Sequence, residues 1–347
     1  MALSFLAAVP MAEGKKSKTP PAEEVEVAPL SLAGGRKLVY ERSFSSERQV
    51  RIKQGFWSRV FDIVAGAPNF RRLVRPFDIA TDSRGRIIVT DPGAAGVHIF
   101  DFGQQKYKFL VREGRDPLKS PQCVAIDSQD NIYVTDSETG KIFIFDANGK
   151  FKRIIGSIKG GEGYFKRPTG ISIDSEAKHI YVTDTARHQI FMLDLQGQVL
   201  QTIGRNGTNP GEFNLPTELA LRGQQLIVVD AMNFRVQVLD RSGEFQYSIG
   251  RIGETSGTMF RPKGVDVDSE NDIYVVDGLF STVQVFDRLG RLLFYFGKNG
   301  DGPSEFQLPT GLFIDKTDRI YVVDSWNQRV QVFRFIGAAR QGDRKGP

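Results

Sequence analysis

Two carboxylates, three guanidiniums and a group of large apolar side chains stand at matching places in this sequence of 347 residues. Asp78 and Glu218 each lie two residues after a proline, where similar stretches place Gly170, Gly264 and Gly311. Two carboxylates facing one another are donors for a hard cation such as Ca²⁺, an ion that prefers a larger set of oxygens. Arg75, Arg167 and Arg261 each directly precede a proline. Three guanidiniums at one mouth would suit an anion, a carboxylate-bearing peptide or a phosphate. Met232, Phe234, Leu279, Phe280 and Trp326 fall in short polar connections, where exposed apolar side chains often mark a partner surface. Other chemistry is thinly represented. The histidines, His98, His179 and His188, form no HxxxH or HExxH pair, so a His-ligated zinc site is not supported. Cys123 is the single cysteine; it rules out an internal disulfide and reads as a small buried apolar side chain. No Gly-x-Ser-x-Gly elbow and no phosphate-cradling P-loop occurs.

The elements that must position these residues repeat. Pro76, Pro121, Pro168, Pro216, Pro262 and Pro309 follow one another at steps of 45, 47, 48, 46 and 47 residues. Asp91, Asp136, Asp184, Asp230, Asp277 and Asp324 keep the same phase. Between the markers run short β-rich segments, such as VAID, IYVTD, IFIFD and KFKRIIG of the second unit, separated by turn residues DSQDN, SETGK and ANG. Four antiparallel strands per unit of this length predict an all-β chain, a six-bladed β-propeller. Blades 1 and 4 would then set Asp78 and Glu218 on opposite sides of a central channel. The in-phase aspartates read as architecture, bonded to loop backbone.

The unit P-x-G-[IV]-x-[IV]-D, then I-Y-V-x-D, then N-x-R-[IV]-Q-V-F, carried best by residues 262–287 and 309–333, resembles the NHL repeat. Asn233 with Arg235 and Asn327 with Arg329 keep its Asn-x-Arg element, which blades 1, 2 and 5 lose. The resemblance covers about residues 70–336 and implies a six-bladed propeller. NHL propellers serve as protein-binding, RNA-binding and, in one branch, lyase domains, so the family implies a fold more than a task.

Blade 6 lacks a fourth strand, and the N-terminal region must supply it, since an unfilled edge exposes unpaired backbone groups. Fourth strands share an apolar pair four residues apart followed by a small residue, as in Phe151/Ile155/Gly156 and Phe245/Ile249/Gly250. Tyr40/Phe44/Ser45 fits, which predicts a closing strand over 37–44. The rival is Val60/Val64, but Phe56, Trp57, Val60, Phe61 and Val64 recur at helical steps and predict a short helix over 56–64. The ring is thus expected over 35–336. Residues 1–34 read as part of a secretion signal and a disordered Pro/Glu/Lys linker, and 337–347 as a disordered tail. The apolar run 2–9 points to export, to the periplasm or cell exterior of a bacterium, with a cytoplasmic protein as the alternative.

The charge, +5 from 46 basic and 41 acidic residues, is spread thinly and does not favour nucleic acid. No stretch is long and apolar enough to span a membrane. The expectation is a monomeric, non-enzymatic scaffold without a cofactor. It would bind a protein, peptide or glycan on the face made by the loops before strand 1 and between strands 2 and 3, where Arg75, Arg167, Arg261, Phe234, Phe280 and Trp326 are the candidate contacts. The alternative is a metal-dependent lyase or lactonase-type enzyme using Asp78 and Glu218 in the channel, with Ca²⁺ as the ion considered.

Overall fold

The second strand of each repeat is apolar almost throughout, and Ile87–Asp91, Ile132–Asp136 and Ile273–Asp277 are buried along their whole length. A strand with two apolar faces must be covered on both. In the computed structural model, which describes residues 27–32, 35–50, 70–157 and 164–337, six sheets meet this need by standing side by side around one axis. Alternate residues of one strand then enter different cores. Ile87 and Val89 pack with Val323 and Val330 of the last blade, whereas Ile88 packs with Val124 and Val134 of the next. Among the described residues, six hydrophobic clusters fill the six seams between neighbouring blades.

Each blade is an antiparallel meander, for instance Pro262–Val267, Ile273–Asp277, Thr282–Phe286 and Leu292–Phe296 from the axis outward. The outermost strands alternate in burial, as Leu292–Phe296 does, because their outer edge faces solvent. This is the all-β six-bladed propeller expected from the repeat.

The ring is closed by Lys37–Phe44, which pairs antiparallel with Arg329–Ile336 in the last blade. Leu38 lies opposite Phe335, Tyr40 opposite Phe333 and Phe44 opposite Val330, with a register shift between Tyr40 and Arg42. Upstream of the expected start of the ring, a two-residue strand, Leu30–Ser31, adds a fifth member to this sheet by pairing with Leu38 and Lys37. The helix expected over 56–64, and with it the rival closing segment, lies outside the described residues, as do residues 1–26 and 338–347.

The innermost strands would leave a row of unpaired backbone groups around the axis. Side chains of neighbouring blades occupy many of these. The hydroxyls of Thr90, Thr135 and Thr183, each just before a strand-2 aspartate, donate to the carbonyls of Gln122, Thr169 and Thr217 in the next blade. Thr310 Oγ1 donates to Phe77 O at 2.6 Å, joining blade 6 to blade 1 by the same device.

Candidate functional site

The strand-2 aspartates hold the loops that carry the arginines. Asp91 accepts the backbone N–H groups of Val74 (2.7 Å) and Arg75 (3.0 Å). Asp184 accepts those of Lys166 and Arg167 (2.8 and 2.9 Å), and Asp277 those of Phe260 and Arg261. In blades 4 and 6 the same carboxylates, Asp230 and Asp324, also bind the Asn-x-Arg side chains: Arg235 Nε at 2.8 Å and Arg329 Nε at 2.7 Å. The architectural reading of these aspartates is what the geometry displays. It leaves Arg75, Arg167 and Arg261 exposed, with no side-chain hydrogen bond or ion pair among the described residues. Two other cations of this face are paired: Lys119 with Glu138 at 3.1 Å and Arg187 with Asp184 at 3.4 Å.

Loops before strand 1 and between strands 2 and 3 bond to one another, through Met232 N to Asn214 O, Gly278 N to Arg261 O and Trp326 N to Gln307 O. They therefore form one face. On it Met232, Leu279 and Trp326 are exposed, Trp326 by 68% of its surface. Phe234 and Phe280 are only half-exposed. Phe234 sits at a left-handed position (φ 56°) that turns its ring toward Phe260, with centroids 5.9 Å apart. Phe260 and Leu308, both on the strand-1 side of the same face, are exposed and extend the apolar crescent over blades 4 to 6. Phe260 stands directly before the Arg-Pro step and Leu308 directly before Pro309, and that placement was the available signal.

Beneath the mouth, the position two after each proline forms a layer of Asp78, Cys123, Gly170, Glu218, Gly264 and Gly311. The glycines let the innermost strands close in: a Cβ on Gly170 would stand 2.8 Å from Glu218 Cα, and one on Gly311 2.6 Å from Asp78 Cα. With the ring so narrow, Asp78 and Glu218 of opposite blades come together at the axis. Both are buried, and their carboxylates and the Cys123 thiol bring one donor atom each within 4.8 Å of the others. Cys123 Sγ donates to Glu218 Oε2 at 2.9 Å. Asp78 Oδ2 accepts from Val124 N (2.9 Å) and Glu218 Oε1 from Leu219 N (3.1 Å). Two residues further along blade 5, Asp266 accepts from Ile314 N (2.7 Å) and Val267 N (2.8 Å).

No cation pairs with these acids among the described residues, so burial dominates their titration. It pushes the Asp78 carboxyl up to about 7, against the pull of the Val124 and Ile79 N–H groups and with the help of the Asp266 charge. Asp266 rises to about 6 for the same first reason. Glu218 is raised by burial and then by the Asp78 charge, and the Cys123 thiol by burial and then by Glu218. Burial thus keeps protons on these acids to a higher pH than ordinary carboxyls keep theirs, and Asp78 titrates close to neutrality.

Two histidines are structural. His98 is buried, with Nδ1 2.8 Å from Tyr107 OH and Nε2 3.3 Å from Asp91. His188 Nδ1 accepts from Leu215 N at 3.1 Å.

The family described as a 6-bladed beta-propeller matches residues 113–204 and 268–340, a little under half of the chain. No curated protein matches the sequence. Among solved structures, a gluconolactonase of Xanthomonas campestris is similar at 14% identity, covering 88% of this chain and 92% of its own, with a TM-score of 0.60. The virginiamycin B lyase of Staphylococcus aureus is similar at 14% identity over 87% of this chain and 100% of its own (TM-score 0.56). An auxiliary nutrient binding protein of Bacteroides thetaiotaomicron is similar at 14% identity over 75% and 69% (TM-score 0.58). At this identity the likeness is one of fold.

Proposed function

We propose that this chain is a non-enzymatic binding propeller of the NHL type, exported by a bacterium, that takes a protein, peptide or glycan partner on the mouth face. The observation that carries this reading is the coincidence on one face of unpaired arginines and an exposed apolar crescent of Met232, Phe260, Leu279, Leu308 and Trp326. Partner surfaces combine aromatic anchors with arginine in this way. The solved structures of similar fold include a lyase, a gluconolactonase and a binding protein, so the fold is neutral between binding and catalysis. In a pull-down from an extract of the source cells, Trp326→Ala is expected to weaken capture by about 2 kcal/mol, as the loss of a buried aromatic anchor does. The triple Arg75→Ala, Arg167→Ala, Arg261→Ala variant is expected to lose the partner. Undiminished capture by both variants would remove this face from consideration.

The runner-up is a metal-dependent lyase or lactonase working at Asp78 and Glu218, to which the geometry adds Cys123 as a third donor. Calcium fits this set poorly. It prefers six to eight oxygens, whereas here the carboxylate oxygens already accept N–H and S–H donors and the third group is a thiol. A thiolate with carboxylates suits a softer ion such as zinc. Metal analysis of the purified chain, with melting curves in zinc, calcium and chelator, separates the readings. Under the binding reading the three melting curves coincide and no stoichiometric metal is found. A bound metal that is lost in Asp78→Asn and Glu218→Gln would favour the enzyme instead.

A further inference from the structure

One residue on the mouth face belongs to neither the arginine set nor the acid layer. Lys263 follows Pro262 at a position where the other blades carry Phe77, Gln122, Thr169, Thr217 and Thr310. Its stem lies against Gly278, where an added Cβ would stand 3.5 Å from Lys263 Cγ. The side chain is only partly exposed, and its ammonium has no hydrogen bond or ion pair among the described residues. A cation drawn out of water without a partner is costly unless an anion accompanies it.

The groups around it sharpen the point. Burial pulls the Lys263 ammonium below its ordinary range, and the charges of Arg261 and Arg167 pull it further. The carboxylates that hold the loops of these arginines, Asp184 and Asp277, are engaged with backbone N–H groups. In the neighbouring blade, at the same step after the proline, the Thr217 hydroxyl is buried and has no partner.

We propose that Lys263, Arg167 and Arg261 form a binding site for a multiply charged oxyanion, such as a phosphate or polycarboxylate group, at the floor of the channel mouth. Two guanidinium forks present paired donors to such a group, and Lys263 supplies a point charge from below. The site rests on the mouth-face reading and gives the partner its chemistry: it carries an anionic group that reaches the axis, while its apolar part lies on blades 4 to 6.

The experiment is titration calorimetry of the full chain with inorganic phosphate, citrate and acetate. Phosphate or citrate is expected to bind one to one, more weakly as sodium chloride rises, and acetate not measurably. The stronger of the two identifies the source of the anion as phosphoryl or polycarboxylate. Lys263→Met is expected to lower the affinity at least tenfold and Lys263→Arg to retain most of it. Because Lys263 is partly buried, the exposed double variant Arg167→Gln, Arg261→Gln is titrated beside it and is expected to lose a similar factor. No binding of either polyanion, or binding unchanged in Lys263→Met and in the double variant, overturns the site. Partner capture that persists in Lys263→Met would overturn the anion's part in recognition and leave the mouth-face reading standing.

Discussion

A chain lacking residues 37–44 is expected to melt roughly 10 to 20 °C below the full chain, from the loss of two buried side chains at about 2–5 kcal/mol each and about 2 °C per kcal/mol in a protein of this size. The strand does more than fill an edge. Leu38, 4% exposed, packs in the seam between blades 5 and 6, with Val285 and Phe335. Phe44, 1% exposed, lies in the seam between blades 6 and 1, its ring 5.0 Å from Phe100 and 5.2 Å from Phe102 of blade 1. One strand therefore ties blade 6 to both neighbours, and its removal also bares the backbone of Arg329–Ile336 along the strand edge. Phe44→Ala alone is expected to cost about 3–5 kcal/mol, the range for truncating a buried phenylalanine. Thermal melts of both variants check this. A shift below about 3 °C in the deletion, the effect of a single minor contact in a protein of this size, would mean that another segment closes the ring.

The closing strand was legible because it repeats a local template. Tyr40 and Phe44 reproduce the spacing of Phe151 and Ile155, and a fourth strand has a fixed chemical task whatever its position in the chain. The propeller was legible for a similar reason, since period and turn chemistry are local properties. Distances across the axis are not. Placing Asp78 and Glu218 in opposite blades led to the expectation that they face one another at the axis, which they do, but not to how closely they approach. What draws them together is the close approach of strands at Gly170 and Gly311, a consequence of ring closure. Cys123 belongs to the same column of residues two after the proline, and that register was available. A lone thiol reads as apolar filler when taken by type, and as the third member of a polar layer when taken by position. Lys263 was missed in the same way, because its column is mixed and only burial distinguishes it from a surface lysine. Phe234 and Phe280 show what residue type leaves undecided: both are only partly exposed on the mouth face, and at Phe234 the left-handed turn folds the ring back toward Phe260.

The protonated layer makes stability fall as pH rises. Asp78 titrates at about 7 and Asp266 at about 6 in the fold, and both have ordinary values of 3.8. Below that value folded and unfolded chains hold these protons alike, and the contribution is fully present. Between about pH 4 and 7 the unfolded chain releases protons that the fold retains, so stability declines through that interval and levels off once the folded groups ionise. Each tenfold difference in proton affinity between folded and unfolded chains is worth about 1.4 kcal/mol. The layer therefore costs the fold a few kcal/mol at pH 8 relative to pH 5, or about 5 to 10 °C in melting temperature by the usual scaling. Carboxylates pulled the other way, such as Asp91 by its hydrogen bonds from His98, Val74 and Arg75, lose their contribution as pH falls through their depressed folded values. They act at the acid end, below the interval in which the buried acids weaken the fold. Asp78→Asn with Glu218→Gln keeps the shape of both side chains and oxygen acceptors for Val124 and Leu219, while removing the ionisation. This double variant is expected to melt higher than the parent at pH 8, to differ less at pH 5, and to flatten the slope between them. Melting curves from pH 4 to 8 test it: a parent whose stability rises across pH 4–7, or a variant with the parent's slope, would show that the acids are charged and compensated in the fold.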